Sequence, residues 1–180
     1  QSIVSEALQA TMSELAAAAP PGAILEVGVY LGGTAQALER VARAKGERLW
    51  LYDTFAGLPW ADPDKGDRLP VGQFADGLTF EECKYIFDHA AVQAGIFPHG
   101  GVIPPAIGFA HLDVDQYRSV REAIDAIVPR LVPDGVILLD DFCLPGCERA
   151  VLETPHKGDA PLRLNVLEDG RAVLRRRGMP

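Results

Sequence analysis

Two apolar runs in this sequence each end in a pair of aspartates, and this repeated pattern limits the possible folds more than any other feature. Residues 109–112 are followed by Asp113 and Asp115, and residues 136–139 by Asp140 and Asp141. Short aliphatic runs of this kind are typical of buried strands in a parallel sheet. Because ligands bind beyond the carboxyl ends of such strands, we expect the four acids to share one crevice.

Four carboxylates in one crevice repel one another and therefore favour a bound cation. Ligand sets made only of oxygen atoms select hard ions such as Mg²⁺, whereas Zn²⁺ favours histidine or cysteine. A single aspartate after a strand is explained equally well as a helix N-cap or a solvated loop residue, and that explanation suffices for Asp115 or Asp141 alone. It does not account for four acids from two strands, so we predict a metal or charged-ligand site here.

Strand-like and helix-like segments alternate along the chain. Their spacing predicts helices at 3–19, 34–44, 80–91, 117–132 and 147–152, and strands at 23–28, 49–53, 92–97, 107–114 and 135–140. A terminal hairpin is predicted from residues 163–166 and 172–175, which flank Asp169-Gly170. The pattern indicates an α/β fold, namely a Rossmann-like, doubly wound, mainly parallel seven-stranded sheet with a C-terminal antiparallel hairpin.

The length of the chain fits one domain. With 180 residues, of which 48% are hydrophobic, residues 1–180 are expected to form a single domain whose N-terminal helix lies within 1–20. Residues 55–79 are rich in glycine, proline and aspartate and are too long for a tight connection. We therefore expect this segment to be a binding loop or a lid.

Charge and hydropathy narrow the choice of partners. A net charge of −8 disfavours a nucleic-acid partner, since proteins that bind nucleic acid usually carry a basic face. No apolar run reaches the ~18 residues that a membrane span needs, and no secretion-signal pattern opens the chain, so we expect no membrane partner and a cytoplasmic location. The 3 cysteines, an odd number, do not indicate a disulfide framework.

A glycine-containing turn follows the first predicted strand, where a Rossmann-like sheet meets its cofactor. The turn reads Glu26-x-Gly28-x-Tyr30-x-Gly32, and Asp53 ends the second predicted strand, where an acid can accept hydrogen bonds from ribose hydroxyls. Tyr30 stands where a dinucleotide would require glycine, and Glu26 would repel phosphate. S-adenosylmethionine, which carries an ammonium and a sulfonium, agrees with both observations.

Several stretches together resemble the macrocin O-methyltransferase family of class I S-adenosylmethionine-dependent methyltransferases. They are Leu-Glu-Val-Gly-Val-Tyr-Leu-Gly-Gly-Thr at 25–34, Asp-Thr-Phe-Ala-Gly-Leu-Pro at 53–59, Gly-Ile-Phe-Pro at 95–98, His-Leu-Asp-Val-Asp-Gln-Tyr at 111–117 and Leu-Asp-Asp at 139–141. The resemblance implies an O-methyltransferase that uses S-adenosylmethionine and Mg²⁺ and acts on a hydroxylated small molecule, such as a sugar of a glycosylated metabolite. Gln116 departs from the family pattern, in which leucine is more usual.

The resemblance also implies roles for individual residues. Asp113, Asp140 and Asp141 would bind Mg²⁺, and Asp115 would be the general base, with Asp113 also contributing to catalysis. The implied contacts with S-adenosylmethionine are Glu26, Gly28, Tyr30, Gly32, Thr34, Asp53, Thr54, Phe97 and Asp113.

Two other functions fit the same residues. A catechol-type O-methyltransferase would use the same sheet and Mg²⁺, and a non-catalytic S-adenosylmethionine-binding module would bind the cofactor whether or not Mg²⁺ is present. His111 is expected to be a core histidine with satisfied hydrogen bonds, the alternative being a partner of a metal ligand. Trp60 and Phe74 either cover a substrate, contact a second copy in a homodimer, or pack within their own loop.

Overall fold

The computed structural model describes residues 6–154 and 162–177 of the chain. Within these ranges the first helix, α1, spans Glu6–Ala18, and the first five residues of the predicted N-terminal segment lie outside the description. The other helices are α2 Gly33–Lys45, α3 Phe80–Ile86, α4 Tyr117–Ile127 and α5 Pro145–Glu153, with 3₁₀ turns at Pro63–Lys65 and Val128–Arg130. The strands are β1 Ala23–Val27, β2 Leu49–Asp53, β3 Ala91–Ala94, β4 Ile107–Leu112, β5 Leu131–Leu139, β6 Leu162–Val166 and β7 Ala172–Arg176.

The seven strands form one sheet in the order β3-β2-β1-β4-β5-β7-β6. The first five strands pair in parallel, whereas β7 is antiparallel to both β5 and β6. This arrangement confirms the predicted fold class, including the closing hairpin. The strand order reverses between β1 and β4, and the loops after these two strands leave in opposite directions, which opens a crevice at their carboxyl ends.

Apolar residues alternate along the strands and build a separate core on each face of the sheet. Ile137 and Leu139 face the core under α4 and α5, whereas Val136 and Leu138 face the core under α1, α2 and α3. Burial of each such aliphatic side chain contributes about 1.5–3 kcal/mol. Because helices cover both faces, the central strands are apolar along most of their length, and their polar residues are confined to the strand ends and the sheet interior near the crevice.

Two predicted boundaries shift because of backbone chemistry after α4. This helix ends at Ile127 and not at residue 132, since Pro129 cannot donate the next helical hydrogen bond. The following strand begins at Leu131 and not at residue 135. Its pairing with β4 changes register between Ile107 and Phe109, and Asp134 has a φ of 61°, so an irregular segment within β5 conceals its true start from the sequence pattern.

The helix α3 is shorter than the predicted 80–91. A capping box between Thr79 and Glu82 fixes its first turn, but the backbone leaves the helix at Phe87, whose ring is buried in the core. The chain therefore reaches β3 earlier, at 91–94 and not 92–97. The strand β4 also ends two residues before the predicted position 114, at Leu112, while α5 starts at Pro145, ahead of the predicted 147. No helix within the described ranges has the length and apolar character needed to cross a membrane.

Candidate functional site

A cleft of about 290 Å³ opens at the carboxyl ends of the central strands. Asp113, Asp115, Asp140 and Asp141 all line it, as the strand-end argument predicted. The backbone brings them together because Asp113 N donates to Val27 O at 3.0 Å and Asp140 N donates to Leu112 O at 2.9 Å, which continues the parallel pairing past the strand ends. Among the residues predicted to contact the cofactor, the cleft lining also includes Gly28, Tyr30, Thr34, Asp53, Thr54 and Phe97.

The turn after β1 is held in a conformation that requires glycine. Gly28 has a φ of 91°, and a Cβ at this position would lie 1.8 Å from the carbonyl oxygen of Asp113. No other residue fits, since the side chain would push the ends of β1 and β4 apart. The glycine therefore places the backbone of the turn directly against the acid that follows β4.

Asp53 fixes the same turn through its carboxylate. Its Oδ2 accepts hydrogen bonds from Val29 N at 2.8 Å and Tyr30 N at 3.1 Å, and its Oδ1 accepts one from Phe55 N at 2.7 Å. Because Oδ2 already accepts two hydrogen bonds, Oδ1 is the oxygen that retains capacity for a further hydrogen bond from a ligand. Asp53 therefore fixes the conformation of this turn. It also lines the cleft, where the ribose contact was predicted for it.

Two residues predicted to contact the cofactor lie beside the cleft and do not line it. Gly32 begins α2 with a φ of 75°, and a Cβ there would come within 3.0 Å of the Phe87 ring, so this glycine serves close packing at the start of the helix. Glu26 is completely buried behind the cleft. Its Oε1 lies 3.1 Å from His111 Nδ1, and its Oε2 has no hydrogen-bond partner within the described part of the chain.

His111 is buried in the core, as expected, and it also contacts one member of the acid cluster. Its side chain is 1% exposed, and its Nε2 lies 3.7 Å from Asp140 Oδ1. Burial alone would lower the pKa of His111, but its contacts with Asp140 and Glu26 outweigh burial and raise that pKa to about 10. The raised pKa favours the protonated imidazole at neutral pH, held between one carboxylate behind the cleft and one inside it.

Three of the acids converge closely enough to hold one ion. Asp113, Asp115 and Asp141 each place a carboxylate oxygen within 4.8 Å of the others. Burial, followed by repulsion from Asp141, raises the pKa of Asp113 well above its usual range, and burial with repulsion from Asp141 and Asp140 raises the pKa of Asp115 to about 7. Burial and the nearby Asp140 also raise the pKa of Asp141. Oxygen donors that repel one another in this way fit a hard divalent cation such as Mg²⁺.

Asp140, which the sequence predicted as a metal ligand, lines the same cleft but directs one oxygen away from that trio. Its Oδ1 faces His111 and also lies 4.0 Å from Arg171 Nη1. Arg171 comes from the turn of the C-terminal hairpin, is 3% exposed, and pairs with Asp169 at 2.8 Å. Sequence reasoning missed this arginine, because no local pattern links a hairpin turn to the end of β5.

The segment 55–79, called the long loop below, packs against the start of α4 and forms one wall of the cleft. Gly57, Leu58, Pro59 and Phe74 line the cleft. Trp60 does not line it and lies instead under Arg118, whose guanidinium carbon is 3.7 Å from the ring centroid. Of the alternatives left open for the two aromatic residues, Phe74 is placed to cover a ligand, whereas Trp60 packs within the protein.

Comparison with known proteins agrees with this geometry. The family described as "Methyltransferase domain" matches residues 25–142, which contain the turn after β1 and all four acids. An 8-demethyl-8-(2,3-dimethoxy-alpha-L-rhamnosyl)-tetracenomycin-C 4'-O-methyltransferase from Streptomyces olivaceus is 29% identical over 80% of this chain and 62% of its own length. A mycinamicin III 3''-O-methyltransferase from Micromonospora griseorubida is 25% identical over 74% of this chain and 60% of its own length. The chain thus spans about three fifths of these relatives.

Solved structures share the fold. The O-methyltransferase NovP superimposes with a TM-score of 0.76 and 21% identity, covering 95% of this chain and 79% of that one. The calicheamicin methyltransferase CalS11 superimposes with a TM-score of 0.70 and 19% identity, covering 93% and 76%. At these identities the structures support the architecture, and the similarity to macrocin-type enzymes rests on the sequence relatives.

Proposed function

Because this chain belongs to the methyltransferase-domain family, we propose that it is an S-adenosylmethionine- and Mg²⁺-dependent O-methyltransferase that acts on a hydroxyl of a small molecule. The observation that carries the proposal is the position of the acid cluster, which lies in the same cleft as the turn after β1 and Asp53. A cofactor held by that turn and an acceptor held at the acids would meet within one cavity. One curated relative acts, by its name, on a rhamnosyl-bearing natural product, so a glycosylated metabolite is the proposed acceptor class.

Residues on the β1 and β2 side would bind S-adenosylmethionine. The turn at Gly28 and Tyr30 offers backbone groups, Asp53 offers its Oδ1 to the ribose, and Thr34, Thr54 and Phe97 complete the lining. Glu26 does not line the cleft, and its buried carboxylate would act on the cofactor from behind these residues. Holding two reactants in line is the main task of such a site, and positioning can supply ~7–11 kcal/mol of the barrier reduction.

Residues on the β4 and β5 side would bind the ion and the acceptor. We propose Asp113 and Asp141 as Mg²⁺ ligands, with Asp140, through its second oxygen, or Asp115 as the third. When bound, S-adenosylmethionine supplies the methyl group and Mg²⁺ supplies Lewis acidity that makes the acceptor hydroxyl easier to ionise. If Asp140 is the third ligand, Asp115 is proposed as the proton acceptor; an ordinary carboxylate with a pKa near ~4 is a weak base for an alcohol, so this role depends on the acidity that bound Mg²⁺ would give the hydroxyl.

Calorimetric titration tests the proposal directly. S-adenosylmethionine and S-adenosylhomocysteine are titrated with and without Mg²⁺, and Mg²⁺ is titrated into the natural protein and into the Asp140→Asn, Asp141→Asn and Asp115→Asn variants. We expect the cofactor to bind and Asp141→Asn to remove the heat of Mg²⁺ binding. The variant among Asp140→Asn and Asp115→Asn that also removes this heat identifies the third ligand. The exposed Asp125→Asn substitution on α4 is the matched control for loss of one carboxylate.

An acceptor screen then separates the related functions. Methyl transfer to a sugar hydroxyl supports the proposed class, and transfer only to an aromatic diol would favour a catechol-type enzyme. Cofactor binding that ignores Mg²⁺, with no transfer to any acceptor, would favour a non-catalytic binding module. Absence of cofactor binding would refute the proposal. We further propose a cytoplasmic location and a homodimer whose contact is made by the helices that flank the sheet or by the long loop.

A further inference from the structure

Three consecutive residues after Asp115 hold the long loop. Gln116 accepts a hydrogen bond at Oε1 from Trp60 N at 3.0 Å and donates one from Nε2 to Trp60 O. Tyr117 N donates to Asp67 Oδ1 at 2.7 Å, and Arg118 stacks on the Trp60 ring. The start of α4 therefore contacts the backbone, an acid and an aromatic ring of the same loop.

Gln116 is the central member of this contact. Its side chain is 0% exposed, and both ends of its amide are used by the backbone of one residue. A buried amide is stable only when its donors and acceptors are paired, and an apolar side chain here would leave the N–H and the carbonyl of Trp60 without these partners. These hydrogen bonds join the long loop to the start of α4 and therefore fix the position of the loop relative to that helix.

The same loop supplies a wall of the cleft. Gly57, Leu58 and Pro59 line the cleft immediately before Trp60, and Asp115 and Ser119 line it on either side of Gln116. Leu58 is fixed in turn by hydrogen bonds of its backbone with Gln73 O and Gly72 N, each 2.9 Å long. Gln116 thus connects the wall of the cleft formed by the long loop to Asp115, the residue that precedes Gln116 in the chain.

We propose that Gln116 is a positioning residue that sets the distance between the long loop and Asp115, and that it thereby selects the acceptor and the hydroxyl presented for methylation. The inference rests on the proposed function for the identity of the acceptor. The pair of hydrogen bonds between Gln116 and Trp60, called the clamp below, is a physical contact that can be measured without catalysis. Apart from Asp113, the proposed cofactor contacts lie in or after β1, β2 and β3, so the proposal predicts an effect on acceptor binding that is separate from cofactor binding.

The test compares Gln116→Met, which keeps the length of the side chain but removes both hydrogen bonds, with the exposed Asp125→Asn on the same helix as the control. Trypsin cleavage after the exposed Arg68 reports opening of the loop, and mass spectrometry identifies the cut. Loss of one to two net hydrogen bonds should raise the rate of this cleavage by about 5–30-fold, and it should raise the acceptor KM by the same factor. The kcat at saturating acceptor and the cofactor Kd should stay at the level of the control.

Each result decides the proposal. Cleavage and KM at control levels would overturn it, and so would a cofactor Kd that weakens in parallel with KM, because that pattern indicates general loosening. If Gln116→Met does not fold, Arg118→Leu, which alters a half-exposed side chain on the outer side of Trp60, is measured in the same way. If the natural protein transfers no methyl group, the proposed function fails but the clamp does not, and the rate of cleavage after Arg68 then supports or refutes it alone.

Discussion

The buried pair of Glu26 and His111 should make the fold lose stability as the pH rises above neutrality. Contacts with Asp140 and Glu26 overcome the effect of burial and raise the pKa of His111 to about 10, whereas a histidine in the unfolded chain has a pKa near ~6.5. Between these values the folded protein keeps a proton that the unfolded chain releases. The free energy of unfolding should therefore fall by about 1.4 kcal/mol per pH unit across this window. The stabilisation is complete below the lower value and is lost as the pH passes through the upper one.

Urea unfolding followed by circular dichroism measures this slope. The window from about pH 7 to 8 lies above the titration of ordinary histidines and below that of ordinary thiols. A chelator excludes bound metal. The double variant Glu26→Gln with His111→Gln keeps the acid cluster and the titration of its carboxyl groups but removes the His111 titration, so the fall in its free energy of unfolding should be smaller than that of the natural protein by about 1.4 kcal/mol per pH unit over that window. Glu26→Gln alone should cost about 3–5 kcal/mol at neutral pH, because it leaves the cation with one partner fewer. Equal slopes in the natural protein and the double variant would refute the reasoning.

Three further predictions concern the cleft. Gly28→Ala places a Cβ 1.8 Å from the Asp113 carbonyl oxygen, so it should destabilise the fold by more than about 1–3 kcal/mol in thermal denaturation and abolish cofactor binding; an unchanged melting temperature would contradict the clash. Asp53→Asn directs an amide group at backbone N–H donors and should cost about 1–3 kcal/mol of cofactor binding in calorimetry, with the circular dichroism spectrum retained. Because the pKa of Asp115 is raised to about 7, Mg²⁺ uptake should release protons and strengthen as the pH rises through that value; heats that do not depend on the ionisation enthalpy of the buffer would exclude this coupling.

Much of the fold was predictable because local patterns determine it. The apolar runs of β4 and β5 identify buried parallel strands, and the acids that follow them mark the edge where the strand ends meet. Gly28 and Asp53 were found for the same reason, since a glycine turn after the first strand and an acid after the second belong to one local arrangement. The boundaries that shifted, such as the end of α4 before Pro129, depend on single residues that interrupt an otherwise regular pattern.

The residues that sequence reasoning missed act over long distances in the chain. Arg171 reaches Asp140 only because the hairpin folds back beside β5, and Gln116 reaches Trp60 only because the long loop packs on α4. Neither contact has a periodic or spacing signal. The one available clue for Gln116 was its departure from an otherwise apolar position, and the clue for Arg171 was an arginine next to Asp169 in a hairpin turn.

The contribution of Arg171 has a practical consequence for engineering this domain. The family match stops at residue 142, but the arginine that lies beneath Asp140 is delivered by the hairpin of β6 and β7, well beyond that limit. A shortened or fused version designed from the matched segment would keep every acid of the cleft and lose one of the two buried cations that face Asp140. The edge hairpin should therefore be transferred together with the acids whenever this cleft is grafted, minimised or recombined with another scaffold.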